Sequence, residues 1–289
     1  MKRRDLLRTM AMIGLGGSSI LRAQAPSVRA SRSAQTKWAS SRDGTRIAYE
    51  VIGGGATLVL QHGAVLDRNS WRDLGYVDPL IDRFRLILID ARGHGESDGP
   101  DDPAAYSFAK VAEDVAAVVE AECDEPATLW GYSMGGRIAY ACMAYTPGLY
   151  RRFVIGGDSM SVLGMTEEQT RTRIAQAEQL EGGLEAIDPE DREFFQSLNL
   201  PALAAYLRNG LVFDGTLREK LDAFDGPALI YMGQQDADIM RSREAATGVR
   251  LLNYLVDPTY VELPGLDHSE THRRPDLVLP HVLRFLAQT

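Results

Sequence analysis

The sequence predicts an α/β fold: a doubly wound, mostly parallel sheet with helices on both faces. Short, near-continuous apolar runs alternate with helical patterns along most of the chain, and strands buried on both faces are typical of such runs. Between residues 158 and 225 this alternation stops and short helix signals replace it. We therefore expect one domain over residues 37–289, with an all-helical cap inserted at about 158–225.

The strand and helix patterns can be placed in chain order. The domain opens with a hairpin, because the strand patterns Lys37 to Ser40 and Thr45 to Ile52 are joined at Asp43-Gly44. Further strands are expected at Thr57 to Gln61, Arg85 to Ile89, Leu129 to Trp130, Phe153 to Ile155, Ala228 to Met232 and Tyr260 to Leu263. Helices are expected at Phe108 to Glu122, Met134 to Tyr145, Ser242 to Leu252 and Pro275 to Leu286. Residues that follow the carboxyl ends of parallel strands should converge on one crevice.

The expected cap carries helix start and stop signals of its own. Thr166 with Gln169 has the spacing of a capping box, and Gly182-Gly183 supplies a stop. Its apolar side chains either line the crevice or only pack the insertion onto the sheet: Phe194, Phe195, Leu198, Leu203, Tyr206, Leu207, Leu211, Val212 and Phe213.

Composition excludes several classes of function. Of 289 residues, 45% are apolar and 25% are charged, which is an ordinary globular balance. The formal net charge is −9 and no basic patch is evident, so nucleic acid is not an expected partner. No apolar run reaches the length that spans a bilayer. A small-molecule substrate is the expected partner, and the sequence does not set the oligomeric state.

The first 30 residues have the features of an export signal of the twin-arginine type. Arg3-Arg4 is followed by Leu6-Leu7 and by a weakly apolar stretch, Met10 to Leu21, of signal-sequence length. Cleavage is expected after Ala25, in Ala23-Gln24-Ala25, or after Ala30, in Val28-Arg29-Ala30. The alternative is a basic amphipathic tail. Export would place the protein in the periplasm or outside the cell.

Two cysteines could be oxidised in such a compartment. Cys123 and Cys142 allow at most one bridge, and spacing alone does not show whether their Cα atoms are close enough. Free thiols are the favoured interpretation.

The stretch Gly131 to Gly136 predicts a nucleophile. It carries the pattern G-x-S-x-G between an expected strand and an expected helix, which is the context this motif requires. A strand that turns sharply into a helix holds Ser133 at strained dihedral angles, and glycine lets the two elements pass closely. Ser133 is therefore the candidate nucleophile.

A serine hydroxyl needs a histidine to take its proton and a carboxylate to orient that histidine. His268 follows the last strand and lies downstream of Ser133, so it is the candidate base; the other four histidines are interpreted as structural or solvated. Asp236, directly after a buried strand, is the leading acid. Asp158 and Asp238 are its rivals.

The remaining requirement is a pair of amides facing an oxyanion. The amide of Met134 opens the helix after Ser133, and Ala64 follows the strand that ends at Gln61; Val65 is the alternative to Ala64. Asp90 and Arg92 are interpreted as structural, because a buried ion pair can fix a loop without touching substrate. No metal or organic cofactor is implied.

Taken together, these motifs resemble the α/β-hydrolase fold family. Its order and approximate spacing are matched by His62-Gly63 with Trp71, the Asp90 to Ser97 turn, Gly131 to Gly136, Gly233 to Asp236, and His268 with Pro275. The resemblance covers Lys37 to Thr289. Serine at position 133 argues against the branch similar to haloalkane dehalogenases and epoxide hydrolases, which carry aspartate there. Asp267 departs from the glycine that commonly precedes the histidine, and it could constrain the loop or raise the histidine pKa.

The resemblance implies a serine hydrolase that cleaves a small, partly apolar carboxylic ester or lactone through an acyl-enzyme. A carbon–carbon bond hydrolase or a cofactor-free perhydrolase with the same three residues is the alternative, since one fold hosts many reactions. A small-molecule binding protein with low turnover is a third possibility. Neither the acyl nor the alcohol part of the substrate can be named from sequence.

Overall fold

The computed structural model describes residues 34–158, 166–209 and 216–288. The expected export signal lies outside these residues. The described strands are β1 (Lys37–Ser40), β2 (Arg46–Gly53), β3 (Ala56–Gln61), β4 (Phe84–Ile89), β5 (Ala127–Tyr132), β6 (Tyr150–Gly156), β7 (Ala228–Gly233) and β8 (Pro258–Leu263).

These strands form one sheet in the order β1-β2-β4-β3-β5-β6-β7-β8. β1 pairs with β2 and β2 with β4 in antiparallel register, and the remaining pairs are parallel. The first strands therefore form the expected hairpin, and the strands from β3 to β8 all end at the same edge. The predicted fold class, a doubly wound and mostly parallel sheet, is confirmed.

The described helices lie mainly in the connections between strands. They are α1 (Ser70–Asp73), α2 (Val77–Ile81), α3 (Phe108–Glu122), α4 (Met134–Tyr145), α5 (Glu167–Glu181), α6 (Arg192–Phe195), α7 (Leu200–Asn209), α8 (Thr216–Lys220), α9 (Gln234–Thr247), α10 (His268–His272) and α11 (Pro275–Leu286). Proline opens α11, where a missing amide costs nothing.

One predicted helix was misplaced. The helix expected over Ser242 to Leu252 begins eight residues earlier, at Gln234, directly after β7. It ends before Gly248, whose φ of 71° provides a left-handed C-terminus. The polar first turn, Gln234 to Ala237, hid its start, because a weakly amphipathic helix gives little periodicity to read.

Alternate residues of the central strands face two separate hydrophobic clusters. In β3, Val59 packs with α3 and α4, whereas Leu58 and Leu60 pack on the opposite face with Trp71 and Val278. All three strand residues are fully buried. Burial on both faces explains the continuous apolar runs of the sequence.

The described regular elements between β6 and β7 are all helices. The predicted capping box forms at the start of α5: Thr166 Oγ1 accepts from the Gln169 amide at 3.2 Å, and Gln169 Oε1 accepts from the Thr166 amide at 2.9 Å. Four of the named apolar side chains are buried in the cluster that includes α3 and α4, which favours packing over lining for these residues: Phe195, Leu203, Tyr206 and Leu207. Phe194 and Leu198 are half-buried, and Leu211, Val212 and Phe213 lie outside the described residues.

Both cysteines are free thiols. Cys142 is buried within α4, and Cys123 is half-buried after α3. Within the described ranges, no helix is long and apolar enough to cross a membrane.

Candidate active site

Ser133 sits on a strained turn between β5 and α4. Its φ of 56° and ψ of −113° are unusual for a residue with a side chain. A Cβ on Gly131 would lie 2.0 Å from the Gly135 carbonyl oxygen, and one on Gly135 would lie 2.1 Å from the Gln61 carbonyl oxygen. Only glycine fits at both positions, so the sequence pattern follows from the close passage of strand and helix.

The structure brings Ser133, His268 and Asp236 together from three separate elements. The Ser133 Oγ lies 2.9 Å from His268 Nε2, and His268 Nδ1 lies 2.8 Å from Asp236 Oδ2. All three side chains are mostly buried. This is the hydrogen-bonded arrangement in which a histidine can take a proton from a serine while a carboxylate fixes its tautomer.

The two rival acids have other neighbours. Asp158 is buried, and its Oδ1 lies 3.8 Å from Nε of Arg137 on α4. Asp238 is exposed and accepts a 2.6 Å hydrogen bond from Arg241. Of the three carboxylates considered, Asp236 is the one at hydrogen-bond distance from His268.

The surroundings of His268 raise the pKa of its ring. Burial disfavours the charged form, but the charge of Asp236 and its hydrogen bond outweigh burial and raise the pKa of His268. Asp158 acts in the same direction, whereas Arg137 opposes it. A base with a raised pKa holds more strongly the proton that it takes from Ser133.

Local structure explains where Asp236 and His268 lie. Asp236 is in the first turn of α9 rather than in a loop, so its position is fixed relative to β7. Asp267 is the N-cap of α10: its Oδ1 accepts from the Glu270 amide at 2.7 Å, and Glu270 Oε2 accepts from the Asp267 amide at 3.1 Å. Asp267 therefore constrains the loop before His268, which was the first of the two expectations for this residue.

The loop after β3 approaches Ser133 closely. A Cβ on Gly63 would lie 3.5 Å from the Ser133 Cβ, so the Ala64 segment borders the serine. Val65 has a left-handed φ of 57°, which is uncommon for a β-branched residue. Met134 occupies the first position of α4, where a helix leaves amides without an intrahelical partner. Gly63, directly before Ala64, and Met134 thus both adjoin Ser133.

Asp90 and Arg92 form ion pairs with other residues and not with each other. Arg92 instead lies 2.5 Å from Asp114 on α3 and 3.0 Å from Asp43. Asp90 pairs with Arg68, which also contacts Glu50 at 3.1 Å. Each residue still fixes a loop, so the structural interpretation holds with different partners, which are remote in sequence and carry no local signal.

Three other histidines are buried and neutral. The amide of Ala91 donates to His62 Nε2 at 3.0 Å, and the His94 ring lies 5.3 Å from that of His62. Burial lowers the pKa of His62 and of His94 to about 4 and that of His272 to about 3. These residues tie loops and rings together.

Sequence reasoning gave no role to two residues beside the site. Tyr132 precedes the serine and donates a 2.5 Å hydrogen bond to the carbonyl oxygen of His268. Arg137, four residues after the serine, lies between Asp158 and Tyr206 of the cap. Both stand within or next to the Gly131 to Gly136 pattern, but only the fold shows what they reach. Among the described residues, no group of three or more histidine, cysteine or acidic side chains could hold a metal ion.

Part of the chain is similar in sequence to known α/β hydrolases. A family model described as the α/β-hydrolase fold matches residues 56–157. A Bacillus subtilis protein named as a 2-succinyl-6-hydroxy-2,4-cyclohexadiene-1-carboxylate synthase is 37% identical over 101 residues, spanning 34% of this chain and only 36% of its own length. A pimeloyl-[acyl-carrier protein] methyl ester esterase of Nitrosospira multiformis is 26% identical over 82% of this chain and 96% of its own.

Solved structures share the fold. The enol-lactonase of Burkholderia xenovorans superposes with a TM-score of 0.69 over 87% of this chain and all of its own, at 23% identity. At that identity the likeness is one of fold. It shows that the described sheet has the α/β-hydrolase fold, and the match to the family model covers residues 56–157 of that sheet.

Proposed function

We propose that this protein is a serine hydrolase that cleaves a small, partly apolar carboxylic ester or lactone through an acyl-enzyme. The single observation that carries the proposal is the continuous hydrogen-bonded series from Ser133 Oγ through His268 to Asp236, at 2.9 and 2.8 Å. A serine in this arrangement gains nucleophilicity because its proton has a receiver at the moment of attack.

The proposed reaction has two halves. Ser133 Oγ attacks the substrate carbonyl carbon while His268 Nε2 takes its proton, and the amides of Ala64 and Met134 stabilise the oxyanion. His268 then returns the proton to the leaving alcohol, and an acyl-serine remains. Water attacks that acyl group with His268 again as base, which releases the acid and restores Ser133. Asp236 holds the ring in one tautomer throughout.

The substrate class is inferred from two directions. The relatives compared above include one named as a methyl ester esterase and one named as an enol-lactonase. We expect the half-buried Phe194 and Leu198 of the helical segment to supply apolar surface for the acyl part of the substrate.

The first test removes the nucleophile. Ser133→Ala should lower turnover of activated esters by about 10⁴-fold or more, because it removes the hydroxyl that attacks the substrate carbonyl. A fluorophosphonate should label the parent and not the variant, as read by intact-protein mass spectrometry.

A panel of esters graded by acyl length, run beside lactones, defines the substrate class. The variant's circular dichroism spectrum controls for folding. Labelling that persists in Ser133→Ala would move the nucleophile elsewhere, and a parent that is acylated without turnover would indicate a binding protein.

We also propose export through the twin-arginine route, which rests on Arg3-Arg4 and the weakly apolar stretch after it. Changing both arginines to lysine should leave folded, active precursor in the cytoplasm, because this route carries folded proteins. Fractionation with a cytoplasmic and a periplasmic marker enzyme measures it. Unchanged periplasmic recovery of the lysine variant would refute the proposal.

A further inference from the structure

We propose that Tyr132 is a positioning residue that fixes the backbone of His268 relative to Ser133, and this inference rests on the proposed serine hydrolase function. Tyr132 is the residue immediately before the serine, so its backbone moves with the strained turn that carries Ser133. Its hydroxyl donates to the His268 carbonyl oxygen at 2.5 Å. Two consecutive residues thus hold His268, one through its ring and one through its backbone.

The short helix that carries His268 needs such support. α10 has only five residues, and isolated helices of that length are unstable in water. The capping box at Asp267 holds its start, and the Tyr76 hydroxyl donates to the His272 carbonyl oxygen at its end, at 3.0 Å. Neither of these contacts reaches Ser133. The Tyr132 hydroxyl instead bonds the backbone of this helix to β5, the strand that leads to the nucleophile.

The ring of Tyr132 is itself held in one place. It stacks on the His272 ring with centroids 4.0 Å apart and planes 11° from parallel. A Cβ on Gly156 would lie 2.6 Å from the ring, and one on Gly157 would lie 2.7 Å from it and 3.1 Å from His268 Cε1. The glycine pair at the end of β6 therefore makes the slot that both Tyr132 and His268 occupy.

The environment keeps the hydroxyl a donor. Burial raises the pKa of Tyr132, with a smaller contribution from the charge of Asp236, so the phenol stays protonated across the working range of a histidine base. The side chain is 2% exposed and covered by His272, so it offers no surface to a substrate. Its loss should therefore alter turnover and leave binding alone.

Tyr132→Phe tests the inference because it removes only the hydroxyl. Displacement of a catalytic group by a fraction of an ångström is costly, and we expect kcat and the fluorophosphonate acylation rate to fall by about 10-fold. KM should change by less than about two-fold. The acid limb of the pH profile should stay where it is in the parent, since Asp236 still contacts His268.

Tyr76→Phe is the matched control. It also removes one buried hydroxyl that donates to a backbone carbonyl of α10, but at the end remote from Ser133. We expect a similar loss of thermal stability in both variants, with kcat of Tyr76→Phe within about two-fold of the parent. Equal loss of kcat in the two variants, or a Tyr132→Phe variant with parental kcat, would overturn the inference.

A second variant covers the case in which Tyr132→Phe does not fold. Replacing Tyr132 by 3-fluorotyrosine retains the ring and strengthens the hydroxyl as a donor, so kcat should equal or exceed that of the parent at unchanged KM. A fall in kcat of three-fold or more at unchanged melting temperature would contradict the positioning role. Acylation of the parent tests the proposed function by itself, so its failure is distinguishable from a failure of this inference.

Discussion

The edge of the sheet and the helical segment above it are built on different terms. At the sheet edge, each side chain of the site is held by backbone that a strand or helix terminus fixes, as with Ser133 at its strained φ of 56° and Asp236 in the first turn of α9. In the helical segment, apolar side chains such as Leu203 and Phe195 are buried in the same hydrophobic cluster as α3 and α4. We therefore expect turnover to depend on the directional contacts at the sheet edge, and substrate preference to depend on the shape of the helical segment.

The largest expected effect comes from breaking a directional contact at the sheet edge. Asp236→Asn should lower kcat by about 10⁴-fold, because the amide stabilises the wrong tautomer of His268. It should also lower the pKa of His268, since the Asp236 carboxylate helps to raise it, so the acid limb of the residual activity should move to lower pH. Steady-state pH profiles measure both effects.

Asp158→Asn is the matched control for that experiment. Asp158 also helps to raise the pKa of His268 but lies beside Arg137 rather than within hydrogen-bond distance of the ring. We expect a far smaller loss of kcat. A larger loss in Asp158→Asn than in Asp236→Asn would assign the acid to the end of β6.

An intermediate effect is expected from the helical segment. Phe194 is half-buried and the adjacent Phe195 is 1% exposed, so the two offer a matched pair. Phe194→Ala should change the relative kcat/KM values of different ester substrates, by an amount equivalent to about 1–3 kcal/mol. Acylation by a small activated ester should stay intact. Phe195→Ala should mainly cost stability, by about 3–5 kcal/mol, because it leaves a cavity in the core.

Initial rates on the graded ester panel and urea unfolding measure these two outcomes. If Phe194→Ala kept the parental ranking, this segment would be a packing element only, and selectivity would have to lie in the loops after Gly63 and Gly93. The third aromatic side chain of interest, Phe213, lies outside the described residues.

The smallest expected effect concerns the free energy of unfolding at acid pH, which depends on buried histidines outside the helical segment. None of His62, His94 and His272 lies in the helical segment. Burial lowers their pKa values from the ordinary 6.5 to about 4, 4 and 3 respectively. Below about pH 6.5 the unfolded chain binds protons that the folded chain does not, so the free energy of unfolding should fall as pH drops toward 4.

His272→Phe should retain the stack on Tyr132 while removing one titrating group. The slope of unfolding free energy against pH between 6 and 5 should then be shallower by at most about 1.4 kcal/mol per pH unit. Urea titrations at several pH values measure the slope. An unchanged slope would show that folding does not lower the pKa of His272.

Some features of this protein were determined by local sequence alone. Continuous apolar runs predicted the strands, since burial on both faces admits no polar alternation. Gly131 and Gly135 predicted the sharp turn at Ser133, because only glycine fits where strand and helix nearly touch. The candidate nucleophile and base could be read for the same reason: Ser133 and His268 directly follow elements with a strong local signal.

Other features were decided only by tertiary structure. The partner of Asp90 is Arg68 and that of Arg92 is Asp114, because ion pairs form between residues that the fold brings together and not between sequence neighbours. The start of α9 was missed because its polar first turn has no apolar period, and its position is set by β7 instead. The hydrogen bond from Tyr132 to His268 joins residues 136 positions apart in the sequence. It forms only because the fold brings β5 and α10 together at the same edge of the sheet.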